Sequence, residues 1–236
     1  MLLTRIQKVL ALLREPRLLG KALRLSTVPS LEHLHLLDGL KFKSIVDVGA
    51  NVGQFYLLSR WLWPDAVIVS IEPLRQQFAM LARAGRRDEL HVRVESALGD
   101  RNSQGSLNVA EDSDSSSLLR ASDSQLSSFP NSKVVNIQDV EIVRFDSLDV
   151  ELVRPALLKL DVQGYELSAL RGFGQRLNDV DAILVELSFR ELYEGQSLGG
   201  EVLSFLHDAG FSVVRIGRPM LIDGRPEQVD VLLCRR

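Results

Sequence analysis

The 236 residues are 45% hydrophobic and 25% charged with a net charge of −3, a balance that suits one large domain burying its own core and excludes a mostly disordered chain. The single cysteine, Cys234, excludes an intramolecular disulfide and a cysteine zinc cluster and fits a reducing compartment. Charge is uneven: residues 1–24 carry Arg5, Lys8, Arg14, Arg17, Lys21 and Arg24 against Glu15, so the rest of the chain sums to −8, which argues against nucleic acid as a partner.

In residues 2–13 the spacing of Leu2, Ile6, Val9, Leu10, Leu12 and Leu13 predicts an amphipathic helix that Pro16 ends. It is expected to pack on its own domain or cover a site, with peripheral contact to an anionic membrane as the alternative. No apolar run is long enough to span a bilayer, and no secretory leader develops, so the expected place is the cytoplasm, including the inner membrane surface. A second helix is predicted over Leu31–Leu40 with Ser30 as its cap, completing a helical extension over residues 1–43.

From Ser44 short apolar runs alternate with helical patterns, the texture of a parallel sheet with crossover helices. Strands are predicted at 45–48, 67–71, 91–95, 156–161, 181–187, 211–216 and 229–234. An insertion over 103–146 breaks the series. It opens with Gly105–Ala110 and closes with Val140–Phe145, which predicts a β-hairpin, while 111–132, with nine serines, reads as a mobile loop in which Ser115, Ser116 and Ser117 could face a ligand. The last two strands leave no room for a crossover helix, so they are expected to pair antiparallel. The fold class is therefore α/β, a Rossmann-like class I methyltransferase sheet of seven mostly parallel strands with an antiparallel last strand, over 44–236.

The first strand ends in Asp47-Val48-Gly49 and leads through Ala50, Asn51 and Gly53 into a helix, a loop in which glycine lets the backbone turn and approach a ligand. Asn51 stands where a dinucleotide loop has its second glycine. That counts against NAD, whose pyrophosphate needs the space, and favours S-adenosylmethionine, which has none. About twenty residues on, Glu72-Pro73 ends the second strand where an acid can accept both hydrogens of a ribose diol, and Ser96-Ala97 follows the third strand where an adenine would lie.

Leu157–Asp161 is an apolar run that delivers a carboxylate at its carboxyl end before a helix entered at Gly164. Together with Asp47–Gly53, Ile71-Glu72-Pro73, Leu158–Glu166, Val185–Phe189 with Leu192-Tyr193, Ser115–Leu118 and Val229-Asp230-Val231, this resembles the FkbM-type methyltransferases from about Ser44 onward. The resemblance implies a Rossmann-like fold, S-adenosylmethionine as donor and O-methylation of a sugar or polyketide hydroxyl. It makes Gly49, Asn51 and Gly53 the methionine-side loop and Glu72 the ribose acid. The family often has Glu after the residue matching Val162, where this chain has Gln163, and an amide cannot take a proton.

The expected acceptor is a hydroxyl-bearing small molecule or glycolipid. Asp161 and Glu186, each at the end of a strand, are the candidate bases, Asp161 being equally suited to hold the donor's ammonium group. Two carboxylates there could instead bind Mg²⁺. His33 and His35, two apart, fall on different faces of a helix and would not act together, while His91, His207, Tyr165 and Tyr193 are expected in structural roles. A nicotinamide oxidoreductase and a non-catalytic binding module on the same fold are the competing functions.

Overall fold

The computed structural model describes residues 27–236. The helix expected over 2–13, the basic surplus of residues 1–24 and the membrane contact read from it lie outside the described residues. Among the described residues no helix is long and apolar enough to cross a membrane.

The chain enters through a 3₁₀ turn, Leu31–His33, and one helical turn, α1 (Leu34–Leu37). The longer helix expected to Leu40 does not form: Asp38 leaves helical backbone and Gly39 turns at φ +75°, and Ser30 makes no side-chain cap. The domain then runs β1 (Ser44–Val48), α2 (Gln54–Leu62), β2 (Val67–Ile71), α3 (Arg75–Ala84), β3 (His91–Val94) and β4 (Ala97–Leu98). The insertion gives β5 (Ser103–Ala110), α4 (Asp123–Ser128) and β6 (Val134–Val143). The second half is β7 (Ala156–Leu160), α5 (Glu166–Gly172), β8 (Ala182–Ser188), α6 (Gly199–Asp208), β9 (Phe211–Ile216), β10 (Met220–Ile222) and β11 (Arg225–Arg235).

The main sheet has the order β10-β11-β8-β7-β1-β2-β3, with β9 also on β11. The strands from β3 to β8 are parallel, and β11 runs antiparallel to both β8 and β9. It is the mostly parallel Rossmann-like sheet expected, with the last strand reversed and the short β10 added beside it. Central strands read as continuous apolar runs because helices cover both faces. Successive side chains alternate between those faces. Val46, Val48, Leu158, Leu160, Ile183 and Val185 join one core cluster with Leu167 and Leu170 of α5. Ile45, Leu157 and Leu184 join the other with Leu36, Phe55 and Leu58.

The predicted hairpin forms: β5 and β6 pair antiparallel with Gly105 opposite Val140, and β4 adds to β6 as a third strand. Phe145 lies outside it in a 3₁₀ turn. The segment between them is not a loose loop, contrary to what its serines suggest. Ser122 caps α4 by accepting from the Gln125 N–H and donates to the Glu191 carbonyl, Ser117 donates to the Gln163 carbonyl, and Ala121 bridges Tyr193. Short polar side chains thus order this segment by satisfying backbone groups, at home and across the site.

Candidate active site

The carboxyl ends of β1, β2 and β7 open into a cavity of about 420 Å³, lined by Gly49, Ala50, Asn51, Glu72, Pro73, Ser96, Ala97, Asp161 and Glu186 among others. Nine of the eleven residues expected to form the site therefore share one cavity, at the sheet edge where α/β folds gather ligands. Asp47 and Gly53 support it from behind. Asp47 is fully buried under the glycine loop, and Gly53 packs beside Tyr56 and Leu81.

Gly49 and Gly53 make the turn expected of them, at φ +78° and +92°, and Gly49 has a further reason. A Cβ on Gly49 would lie 1.9 Å from the Asp161 carbonyl oxygen, and the residue sits at φ +78°. Glycine is needed there so that the loop can lie against the end of β7, which brings Asp161 beside the loop. Asn51 also adopts a left-handed backbone, φ 45°, which asparagine tolerates better than most residues. Its N–H donates to Glu72 Oε2 at 2.7 Å, while the Leu74 N–H donates to Glu72 Oε1 at 2.8 Å. Both oxygens of Glu72 are thereby aimed, and burial pushes its carboxyl up to about 7 despite these two bonds.

Behind the loop lies a residue to which sequence reading gave no role, Lys159. The β1–β7 register sets it opposite Asp47, and Glu186 and Asp230 are paired in the β8–β11 register. Because Lys159 aligns with Leu184, and side chains repeat every two residues, Lys159, Glu186 and Asp230 project from the same sheet face as Asp47. The Lys159 Nζ donates to the Gly49 carbonyl at 3.2 Å and stands 3.4 Å from Asp47 and 3.6 Å from Asp161. It is buried, and the two carboxylates hold it charged against the cost of desolvation. A lysine inside an otherwise apolar central strand was the available signal, since a buried strand gives its ammonium no route to bulk water.

The candidate bases are held by amides. Gln163 Nε2 donates to Asp161 Oδ1 at 2.8 Å and to Glu186 Oε2 at 3.4 Å, and Gln228 Nε2 donates to the same Glu186 oxygen at 2.7 Å. The orientation of the Gln163 amide is fixed because its Oε1 accepts from the Tyr193 hydroxyl at 2.8 Å. Burial, with the neighbouring Asp161, Asp230 and Glu166 carboxylates, pushes Glu186 well above the usual carboxylate range. The Gln163 amide thus lies between the two acids proposed to share Mg²⁺, and among the described residues no group of three or more His, Cys, Asp or Glu is placed to hold a metal ion.

The insertion closes one side. Asp114 accepts from the side chains of Asn51 and Gln54, and Ser113 accepts from Asn51 Nδ2 at 3.3 Å. Ser116 and Ser117 line the cavity, whereas the Ser115 carbonyl faces the Tyr193 hydroxyl. Tyr165 lines the cavity and Tyr193 supports Gln163 from behind. Of the histidines only His33 reaches the cavity, its Nε2 3.4 Å from Asp230 Oδ2. His35 is exposed, and His207 contacts Arg236. His91 is buried against Ser70 and Tyr56, which pushes it down to about 3.

Six acids line the cavity, Glu32, Glu72, Asp114, Asp161, Glu186 and Asp230, against one lysine, and burial pushes three of them, Glu72, Asp114 and Glu186, up toward their neutral forms, which a cationic ligand would draw back to the charged state. Buried polar atoms there also lack partners among the described residues: Ser96 Oγ and Asn51 Oδ1. An acid-rich concavity with unsatisfied polar groups suits an organic ligand that carries positive charge.

A family model described as "Methyltransferase FkbM domain" matches residues 47–213. No curated protein matches the chain in sequence. Solved structures similar to it include the magnesium protoporphyrin IX methyltransferase from Synechocystis PCC 6803 with bound SAM, at 10% identity and TM-score 0.49 over 95% of this chain and 82% of that one. A putative RNA methyltransferase from Pyrococcus horikoshii is similar at 10% identity and TM-score 0.45, over 87% and 80%.

Proposed function

The chain belongs to the FkbM methyltransferase family, and from that premise we propose that it moves a methyl group from S-adenosylmethionine to a hydroxyl, that of a sugar in a glycolipid or secondary metabolite. The observation that carries this reading is the single acid-rich cavity joining the glycine loop, Glu72 and Ser96 to Asp161 and Glu186. The donor bears a sulfonium and an ammonium against one carboxylate, so its net positive charge suits such a lining.

In this reading Glu72 accepts the two ribose hydroxyl hydrogens, its oxygens already aimed by the Asn51 and Leu74 N–H groups. Ser96 supplies, at the adenine side, a buried hydroxyl without a partner among the described residues. Asp161, half-exposed beside Gly49, meets the donor's ammonium, and Lys159 beneath the loop meets its carboxylate. When bound, the donor supplies a methyl group on a positively charged sulfur, open to in-line displacement. The protein's part is alignment and exclusion of water, and an insertion held by Asn51–Asp114 and Ser117–Gln163 contacts serves both.

Calorimetric titration tests the donor. Binding of S-adenosylhomocysteine in the micromolar range, weakened roughly 10–150-fold in Glu72→Ala, is the expected result. Binding of NAD(P) with no response to S-adenosylhomocysteine would overturn the proposal.

A further inference from the structure

We infer that His33, set against Asp230 at the cavity wall, is the group that takes the proton from the acceptor hydroxyl. The inference rests on the O-methyl transfer proposed above and names the base that such a reaction needs.

The two strand-end acids are poorly placed for the task. Glu186 Oε2 already accepts two amide hydrogens, from Gln228 and Gln163. Asp161 has one oxygen on the Gln163 amide and the other 3.6 Å from the Lys159 ammonium. The donor and the cation weaken Asp161 as an acceptor, whereas Glu186, pushed up by burial and its neighbouring carboxylates, keeps its own proton to higher pH. Asp47 is fully buried under the loop.

His33 differs in each respect. Its 3₁₀ turn packs over the sheet face that carries Asp47, Lys159, Glu186 and Asp230, and its ring meets Phe55 of α2 edge-on at 5.7 Å. The residue is buried yet lines the cavity, and Nδ1 has no hydrogen-bond partner among the described residues. Nε2 lies 3.4 Å from the Asp230 carboxylate, which holds the ring's own proton on Nε2 and leaves the unpartnered Nδ1 as the nitrogen with a free lone pair. The charged groups facing the ring from the packed elements are Asp230 of β11, Asp47 of β1, Lys159 and Glu186 beyond them, and Glu32 on its own turn. Arg215 of β9 is engaged by the Leu36 and Asp38 carbonyls.

The step balances without a further reactant. The acceptor oxygen forms its bond to the methyl carbon, the carbon–sulfur bond breaks with its electron pair left on sulfur, and the hydroxyl proton passes to His33 Nδ1. The imidazolium then releases that proton to solvent.

His33→Gln, His33→Ala and Asp230→Asn proteins are compared with wild type using labelled S-adenosylmethionine and a total glycolipid and metabolite extract, across pH 5.5–9. His33→Gln keeps a polar side chain of similar size should the alanine variant fail to fold. The expected result is a loss of transfer of about 100-fold or more in both His33 variants, with S-adenosylhomocysteine affinity within about two-fold of wild type. Asp230→Asn, which leaves the ring proton without its carboxylate, loses transfer in the same direction. Transfer by His33→Gln at the wild-type rate overturns the inference alone. Absence of labelled product with wild-type protein overturns the methyl-transfer reading and this inference with it.

Discussion

Lys159→Met probes the charge balance on which the site is built. Asp47 is fully buried, and the Lys159 ammonium at 3.4 Å is the cation that offsets its charge. Methionine keeps a stem of similar length beside Phe55, so the change removes charge more than packing. Removing one partner of a buried pair typically costs about 3–5 kcal/mol, because the other charge stays buried without compensation. Asp47, which burial already pushes up, can escape part of that cost by taking a proton, so the lower end, about 3 kcal/mol, is expected at neutral pH. For a chain of this size that lowers the melting temperature by about 6–12 °C. The double variant Asp47→Asn/Lys159→Met removes both charges and should recover most of the loss, a coupling of about 2 kcal/mol. Circular dichroism melts of the wild type, the two single variants and the double variant measure it. A single variant melting within about 2 °C of wild type, or a double variant no more stable than Lys159→Met, refutes the reasoning.

Glu72→Ala should weaken S-adenosylhomocysteine binding by roughly 10–150-fold, the equivalent of about 1.5–3 kcal/mol for hydrogen bonds to a charged group; calorimetry reads it directly. Gly49→Ala should destabilise by about 2–5 kcal/mol, from a left-handed alanine and from a Cβ driven into the Asp161 carbonyl, and thermal melts will show it. Burial raises Glu72 and Glu166 from 4.5 to about 7. Between those values the folded protein holds protons that the unfolded chain has released, so this contribution is complete below pH 4.5 and is lost as pH rises through 7. Urea unfolding should therefore give greater stability at pH 5 than at pH 8, by an amount of order 3 kcal/mol for each group.

What the sequence discloses of this fold depends on how local the cause is. β1 and β7 are legible because burial on both faces demands unbroken apolar runs, and β2 and β9 fall at 67–71 and 211–216 as read. The helix expected over Leu31–Leu40 has the right leucine spacing but stops at Leu37, since one left-handed glycine outweighs periodicity over so short a stretch. Segment 111–132 misleads because composition registers its serines and not their distant partners, Gln163, Glu191 and Tyr193.

The site divides in the same way. Gly49, Asn51, Glu72 and Asp161 sit at strand ends and are found by position alone. Lys159 and Asp230 sit within strands, and their roles appear only once the registers with β1 and β8 set them beside Asp47 and Glu186. His33 was visible as a residue preceding the first strand, but its approach to Asp230 spans almost the whole chain.

The most direct test is incubation of the protein with methyl-labelled S-adenosylmethionine and fractionated glycolipid and metabolite extract, followed by mass analysis of the labelled product. The account predicts a product heavier by one methyl group, carried on oxygen as an alkali-stable ether, with S-adenosylhomocysteine formed in equal amount. Label found on nitrogen or carbon, or no transfer to any fraction by protein that binds S-adenosylhomocysteine, would contradict it.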